Sequence, residues 1–142
     1  MTMLVFSEKT YLLPCQHKDI KVQLGYGFYS DNDSMAILLM CRAADIDEAL
    51  LEDEDYDYEG APFEEVLCTI SVNLATSGEL PLAEQYIDIN NYPQITRWLT
   101  DNGIAVPSGR TESNGHFLYP AYKFQIPSAY RKKLEERQQP NP

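Results

Sequence analysis

Between Asp45 and Glu65 the chain holds eleven carboxylates and no Lys or Arg. They are Asp45, Asp47, Glu48, Glu52, Asp53, Glu54, Asp55, Asp57, Glu59, Glu64 and Glu65. A segment this charged cannot enter a core, because unpaired buried charge is far too costly. Any fold must therefore be assembled from the residues on either side. The other eleven acids match the eleven Lys and Arg, so the formal net charge of -11 is the charge of this stretch. Like charges at helical spacing repel one another. Ala43–Leu51 can form about two helical turns, with Ile46, Leu50 and Leu51 on one side, and Glu52–Pro62 is expected as a mobile loop or extended arm.

The flanking residues read mainly as strands. Residues 1–14 hold short apolar pieces that stop at Pro14, an edge strand. Ile20, Val22 and Leu24 alternate with Lys21 and Gln23, the period of a half-buried strand. Gly25 and Gly27 around Tyr26 predict a bulge or a close backbone approach. Ser30–Ser34 is a turn cluster, and Met35–Cys41, apolar on both faces, is a central strand paired with the one before it. Val66–Leu74 is rich in β-branched residues and predicts one further strand. Glu84–Asn90 predicts another, with Tyr86, Asp88 and Asn90 on one face. Asn91 and Pro93 suit a helix start and Gly103 its end. Ile95, Trp98 and Leu99 give that helix an apolar stripe. Pro107–Gly109 and Thr111–Gly115 read as a turn and a loop. Phe117–Ile126 is a strand in which Pro120 implies an edge position or a bulge. Ser128 opens a last helix bearing Arg131, Lys132, Lys133 and Arg137, and the tail 138–142 is expected to fray. The fold class is α+β: one mainly antiparallel sheet of about five or six strands, one packed helix and a C-terminal helix. Residues 1–142 form a single domain with an acidic loop or arm at 43–65.

Several function classes are excluded or disfavoured by composition. No apolar run approaches the roughly 18 residues of a membrane span, and the N-terminal residues lack the basic start and small-residue cleavage site of a signal peptide. Cys15, Cys41 and Cys68 form no CxxC pair, which is consistent with free thiols in a reducing cytoplasm. The charge sign argues against direct nucleic-acid binding, since a phosphate binder needs a basic face. There is no GxSxG, P-loop or GxGxxG motif. The two histidines, His17 and His116, lack the context of a catalytic base, so no catalytic residue and no cofactor are assigned.

A set of short motifs carries a resemblance. Gly25-Tyr26-Gly27 precedes the Met35–Met40 strand; Thr69, Val72, Asn73 and Leu74 follow as Thr-x-x-Val-Asn-Leu; Tyr86–Asn91 reads Tyr-Ile-Asp-x-Asn-Asn. A helix ending Asp101-Asn102-Gly103 and a Tyr-Pro-x-Tyr-x-Phe segment at Tyr119–Phe124 complete the set. Over most of residues 20–126 the chain resembles an uncharacterised protein family of conjugative elements and phages of Firmicutes. The resemblance implies a mobile-element accessory protein, and such genes often lie near those that counter restriction and CRISPR immunity. It assigns no activity, and the acidic block lies outside its pattern.

The acidic block is the leading site. Duplex DNA presents one charge per roughly 1.7 Å of axis, so a dense run of carboxylates can compete for a basic nucleic-acid channel. The expected partner-binding residues are Asp45, Asp47, Glu48, Glu52, Asp53, Glu54, Asp55, Tyr56, Asp57, Tyr58 and Glu59. The expected partner is a basic nucleic-acid-binding protein, a host nuclease or nucleoprotein. The bland reading is a solvated loop that aids solubility. A calcium loop is also weighed: Asp53, Asp55, Asp57 and Glu64 match part of the EF-hand spacing, but Tyr58 stands where that turn requires Gly. Asp88, Asn90 and Asn91 read as a turn and helix cap rather than a metal group. A second functional reading is an interaction module of the conjugative element acting through a tyrosine-rich face at Tyr119 and Tyr122.

Overall fold

The computed structural model describes residues 2–138; the tail expected to fray lies outside them from residue 139 onward. The alternation at Ile20, Val22 and Leu24 builds β2 (Asp19–Phe28), whose Ile20, Val22, Leu24, Tyr26 and Phe28 all enter the main core. β2 pairs antiparallel with β1 (Thr2–Pro14) on one side and with β3 (Met35–Cys41) on the other. β3 is buried on both faces along its whole length. β4 (Glu65–Thr69) completes a sheet of order β1-β2-β3-β4. The second sheet has the order β5-β6-β8-β7, from β5 (Ser71–Val72), β6 (Glu84–Ile87), β7 (Ala105–Ser113) and β8 (Leu118–Phe124).

The single sheet of five or six strands is thus two antiparallel sheets of four. The division falls inside Val66–Leu74, the stretch that reads as one strand. Ile70, with no exposed surface, sits between β4 and β5. Its N–H donates to Ile37 O of β3 (3.0 Å), while its carbonyl accepts from Asp88 N (2.8 Å). The next residue, Ser71, accepts at Oγ from Ile37 N (3.0 Å). Gln85 of β6, fully buried, makes a second link. Its amide donates to Met35 O (2.6 Å) and its Oε1 accepts from Tyr86 N (2.9 Å). Both ends of a buried amide are thereby satisfied, as burial demands.

Gly25 makes the expected close approach: a Cβ there would meet Met40 Cγ at 3.3 Å and Phe6 Cε1 at 3.6 Å. The bulge, however, is on the facing strand, where the β1 register shifts between Phe6 and Thr10. Residues 107–115 are not a turn and a loop but mostly β7. A register shift between Pro107 and Thr111 holds Gly109 at φ +91°, a conformation that suits Gly, so the turn-forming residues mark a bulge. β8 is interior rather than at an edge. β6 pairs only with Ala121–Lys123, so Pro120 lies past that ladder, and on its other side it faces Thr111 where the β7 register shifts, the irregularity its ring implied.

Two helices close the core. α1 (Ile95–Asp101) starts after Gln94, not at Asn91; the Asn91 side chain is held by Asp88 Oδ2 at 2.7 Å. Ile95, Trp98 and Leu99 are its buried face, as their spacing predicts. Trp98 Nε1 donates to Leu12 O (2.8 Å), tying α1 to β1. α2 (Ser128–Gln138) inserts Tyr130 and Leu134, both without exposed surface.

Tyr26 is an exception to polar satisfaction. Its ring is fully buried between Phe124 and Tyr130, and its hydroxyl has no hydrogen-bond partner among the described residues. Burial holds this phenol well above its ordinary pKa. Tyr26→Phe is therefore expected to raise stability by about 1 kcal/mol. A urea midpoint that falls instead would reveal a partner for the hydroxyl.

Candidate partner-binding site

The acidic loop begins where β3 runs out, at Arg42. This side chain is only 5% exposed. Its Nη2 donates to Glu59 O (3.1 Å) and its Nε to Ala61 O (3.4 Å), so the guanidinium fork captures the far side of the loop. The same group lies 4.7 Å from the Tyr58 ring centroid and 4.8 Å from that of Phe63. Such cation–π contacts strengthen when water is excluded. Phe63 in turn packs against Ala36, Leu38 and Met40, the face of β3 turned away from the main core. The loop is thus folded back onto the first sheet.

Asp45 is the second anchor. Its side chain has no exposed surface and stands 3.8 Å from Lys18 Nζ. It accepts from Tyr58 Oη (2.8 Å) and from Arg42 N (3.3 Å). Burial, with this bond to Asp45, raises the Tyr58 hydroxyl above its ordinary pKa. Between the anchors the expected two helical turns are two 3-10 segments, Ala43–Asp45 and Glu48–Glu52. Ile46 and Leu51 stay exposed. Asp47 Oδ1 caps the second segment by accepting from Ala49 N (3.2 Å). Asp53 Oδ1 accepts from Asp55 N (2.9 Å) and Asp57 Oδ1 from Gly60 N (3.2 Å), each closing a local turn. The stretch expected as a mobile loop or arm is a folded loop with internal hydrogen bonds.

The expected site residues therefore separate into two groups. Asp45 and Tyr58 are internal supports, and Tyr56 is half-buried with an enclosed hydroxyl. Asp47, Glu48, Glu52, Asp53, Glu54, Asp55, Asp57 and Glu59 are exposed. The sequence reading missed Arg42 and Lys18. Arg42 carried one signal, as the first charge after a wholly apolar strand, but nothing local showed that it turns inward.

The other candidates are placed as follows. Among the described residues no group of three or more His, Cys, Asp or Glu is arranged to hold a metal ion. His17 and His116 are both exposed. Asp88 accepts from both the backbone and the amide of Asn91, a turn as read. On α2, Arg137 pairs with Asp33 and lies over the Phe28 ring, and Arg131 pairs with Glu135, so neither meets the acidic block. Tyr119 and Tyr122 are 5% and 8% exposed, which removes the tyrosine-rich face as an open surface. Their rings serve the cores because β8 is interior. Burial pushes the thiols of Cys41 and Cys68 up to about 11, so both are protonated near neutral pH and poor nucleophiles.

No helix among the described residues is long and apolar enough to cross a membrane. No curated protein and no solved structure matches the chain. A family model does match, over residues 23–139, and its span runs through the acidic loop as well as both sheets. The chain belongs to the family described as a domain of unknown function, DUF4313.

Proposed function

We propose that this protein is a non-enzymatic inhibitor that docks the exposed carboxylates of residues 47–59 on the basic nucleic-acid-binding surface of a protein partner. The observation that carries this reading is the way the loop is held. Arg42, Asp45, Tyr58 and Phe63 form its inner support, and Asp47, Glu48, Glu52, Asp53, Glu54, Asp55, Asp57 and Glu59 are left facing solvent. A charged surface fixed before binding loses less conformational entropy on docking than a floppy tail. Negative potential concentrated in one loop also speeds encounter with a basic surface. The resemblance to proteins of conjugative elements and phages suggests the class of partner: a host defence nuclease of the CRISPR-effector or restriction type, met in the bacterial cytoplasm.

The test neutralises the display and spares its support. Gln or Asn is placed at Glu52, Asp53, Glu54, Asp55, Asp57 and Glu59. Asn keeps the side-chain oxygens that close the turns at positions 53 and 57. In pull-downs from host lysate the wild type is expected to capture a nuclease or nucleoprotein that salt and added duplex DNA release. The neutralised chain should capture none of it while keeping its denaturation midpoint. Equal capture by both chains would move the site onto the folded body.

A further inference from the structure

Two aliphatic side chains stand in solvent inside the acidic loop. Ile46 is 55% exposed and Leu51 50% exposed. They are five positions apart, and Ala49 between them is also exposed. Neither belongs to an apolar cluster among the described residues. Other large apolar side chains of the loop turn inward: Phe63 packs on β3, and Leu50, Tyr56 and Tyr58 are half-buried. A lone exposed aliphatic is ordinary on a protein surface. Two on one short charged segment are different, because a loop that served only solubility would gain from polar residues there.

The backbone under both side chains is fixed. Ile46 N–H donates to Ala43 O (3.1 Å). Leu51 lies in the second 3-10 segment, which Asp47 caps and whose Leu50 N–H donates to Asp47 O (3.2 Å). Carboxylates adjoin both. Asp47 follows Ile46 and Glu52 follows Leu51. Glu48 lies three positions before Leu51 in the same segment, so the two side chains eclipse along the 3-10 turn. All three carboxylates are exposed. One face of the loop thus offers apolar contact and negative charge side by side.

We infer that Ile46 and Leu51 are anchors that pack against aromatic side chains of the partner, whose basic surface is a groove for single-stranded nucleic acid. The inference rests on the reading that the acidic loop docks on a basic nucleic-acid-binding surface. A single-strand groove combines cations along the backbone track with aromatic side chains on which bases stack. A duplex keeps its bases stacked inside, so its binders contact phosphates and base edges instead. In a single-strand groove the carboxylates take the place of phosphates, and Ile46 and Leu51 take the place of bases. Exposed carboxylates mainly set encounter rate and partner choice, whereas apolar anchors that become buried supply most of the lasting affinity.

The probes are two capped pentapeptides, Lys-Lys-Trp-Lys-Lys and Lys-Lys-Ala-Lys-Lys, titrated at low salt into the isotope-labelled full chain and followed by its amide chemical shifts. The Trp peptide is expected to bind at least about tenfold more tightly, equivalent to about 1.4 kcal/mol for the ring, with the largest shifts in residues 46–52. Added salt should weaken both peptides and leave their ratio unchanged. Combining Ile46→Ser with Leu51→Ser should abolish the ratio while the Ala peptide still binds and amides outside the loop keep their shifts. Equal binding of the two peptides by the wild type, a ratio that survives the double substitution, or shifts centred elsewhere would each overturn the anchors. The chain neutralised between residues 52 and 59 should bind both peptides more weakly. Unchanged binding by that chain would instead overturn the acidic-loop reading, and no binding of either peptide to the wild type would overturn both. The groove is tested on the partner captured from host lysate. A single-stranded oligonucleotide should release it at a concentration at least about tenfold below that of a duplex of equal length. Release by duplex at an equal or lower concentration would overturn the single-strand groove, and absence of any captured protein would overturn the acidic-loop reading.

Discussion

Replacing Tyr130 with Ala is expected to lower stability by about 4 kcal/mol, the range for removing a buried aromatic ring. Tyr130 has no exposed surface, and its ring lies 5.3 Å from that of Tyr26 and 5.0 Å from that of Phe28. Its hydroxyl donates to Gly27 O at 2.6 Å. The substitution leaves a cavity beside two other rings and strips a buried carbonyl of its side-chain donor, and the two costs combine. α2 is held by Tyr130 and Leu134, so the helix should also loosen. Proteases should then cut within residues 128–138 before the body unfolds. Tyr130→Phe isolates the hydrogen bond and should cost only about 1–2 kcal/mol. Urea denaturation of the three chains checks both figures; a Tyr130→Ala loss below about 2 kcal/mol would mean that the site collapses to fill the space.

The second large effect is local. Arg42→Ala is expected to cost about 3 kcal/mol, since a buried, hydrogen-bonded cation is lost together with its packing on two rings. The Glu59 and Ala61 carbonyls then have no donor in place, and Phe63 loses one of its two covers. Residues 52–64 should become the first site of limited proteolysis, while β1, β2 and β3 keep their hydrogen-exchange protection. Arg42→Lys retains the charge without the planar fork and should restore less than half of the loss. If the acidic surface acts as proposed, Arg42→Ala also weakens partner capture without removing one carboxylate. A loop that resists proteolysis in Arg42→Ala would show that Asp45 and Tyr58 suffice to hold it.

Much of the first sheet was readable from side-chain pattern and segment length. β2 shows its alternation directly, the doubly apolar β3 is decided for a strand over a helix by its seven-residue length, and the stripe of Ile95, Trp98 and Leu99 orients α1. The boundary at Ile70 was not readable. A β-branched run looks continuous whether its backbone pairs with one neighbour or changes neighbours, and here the change occurs within one residue. β7 was hidden for a related reason: Pro107, Ser108 and Gly109 have the chemistry of a turn, and a bulge uses the same residues. In the candidate site the exposure of most carboxylates followed from charge alone. The support for them did not. Arg42 reaches backbone carbonyls 17 and 19 positions away, and a carbonyl acceptor has no sequence signature. Asp45 looked like one more member of the charged run, yet it is the one enclosed by Lys18, Tyr58 and Arg42.

The bonding of Ile70 also bears on how the gene product can be divided. Ile70 donates to the first sheet and accepts from Asp88, just past β6, and a cut on either side of it leaves each sheet its four strands but parts the one core that Ile37, Leu39, Ile87 and Phe124 share across them. Fragments ending at residue 69 or starting at residue 71 should not fold as autonomous halves. They should regain structure only when mixed, so the two sheets behave as a single indivisible cooperative unit.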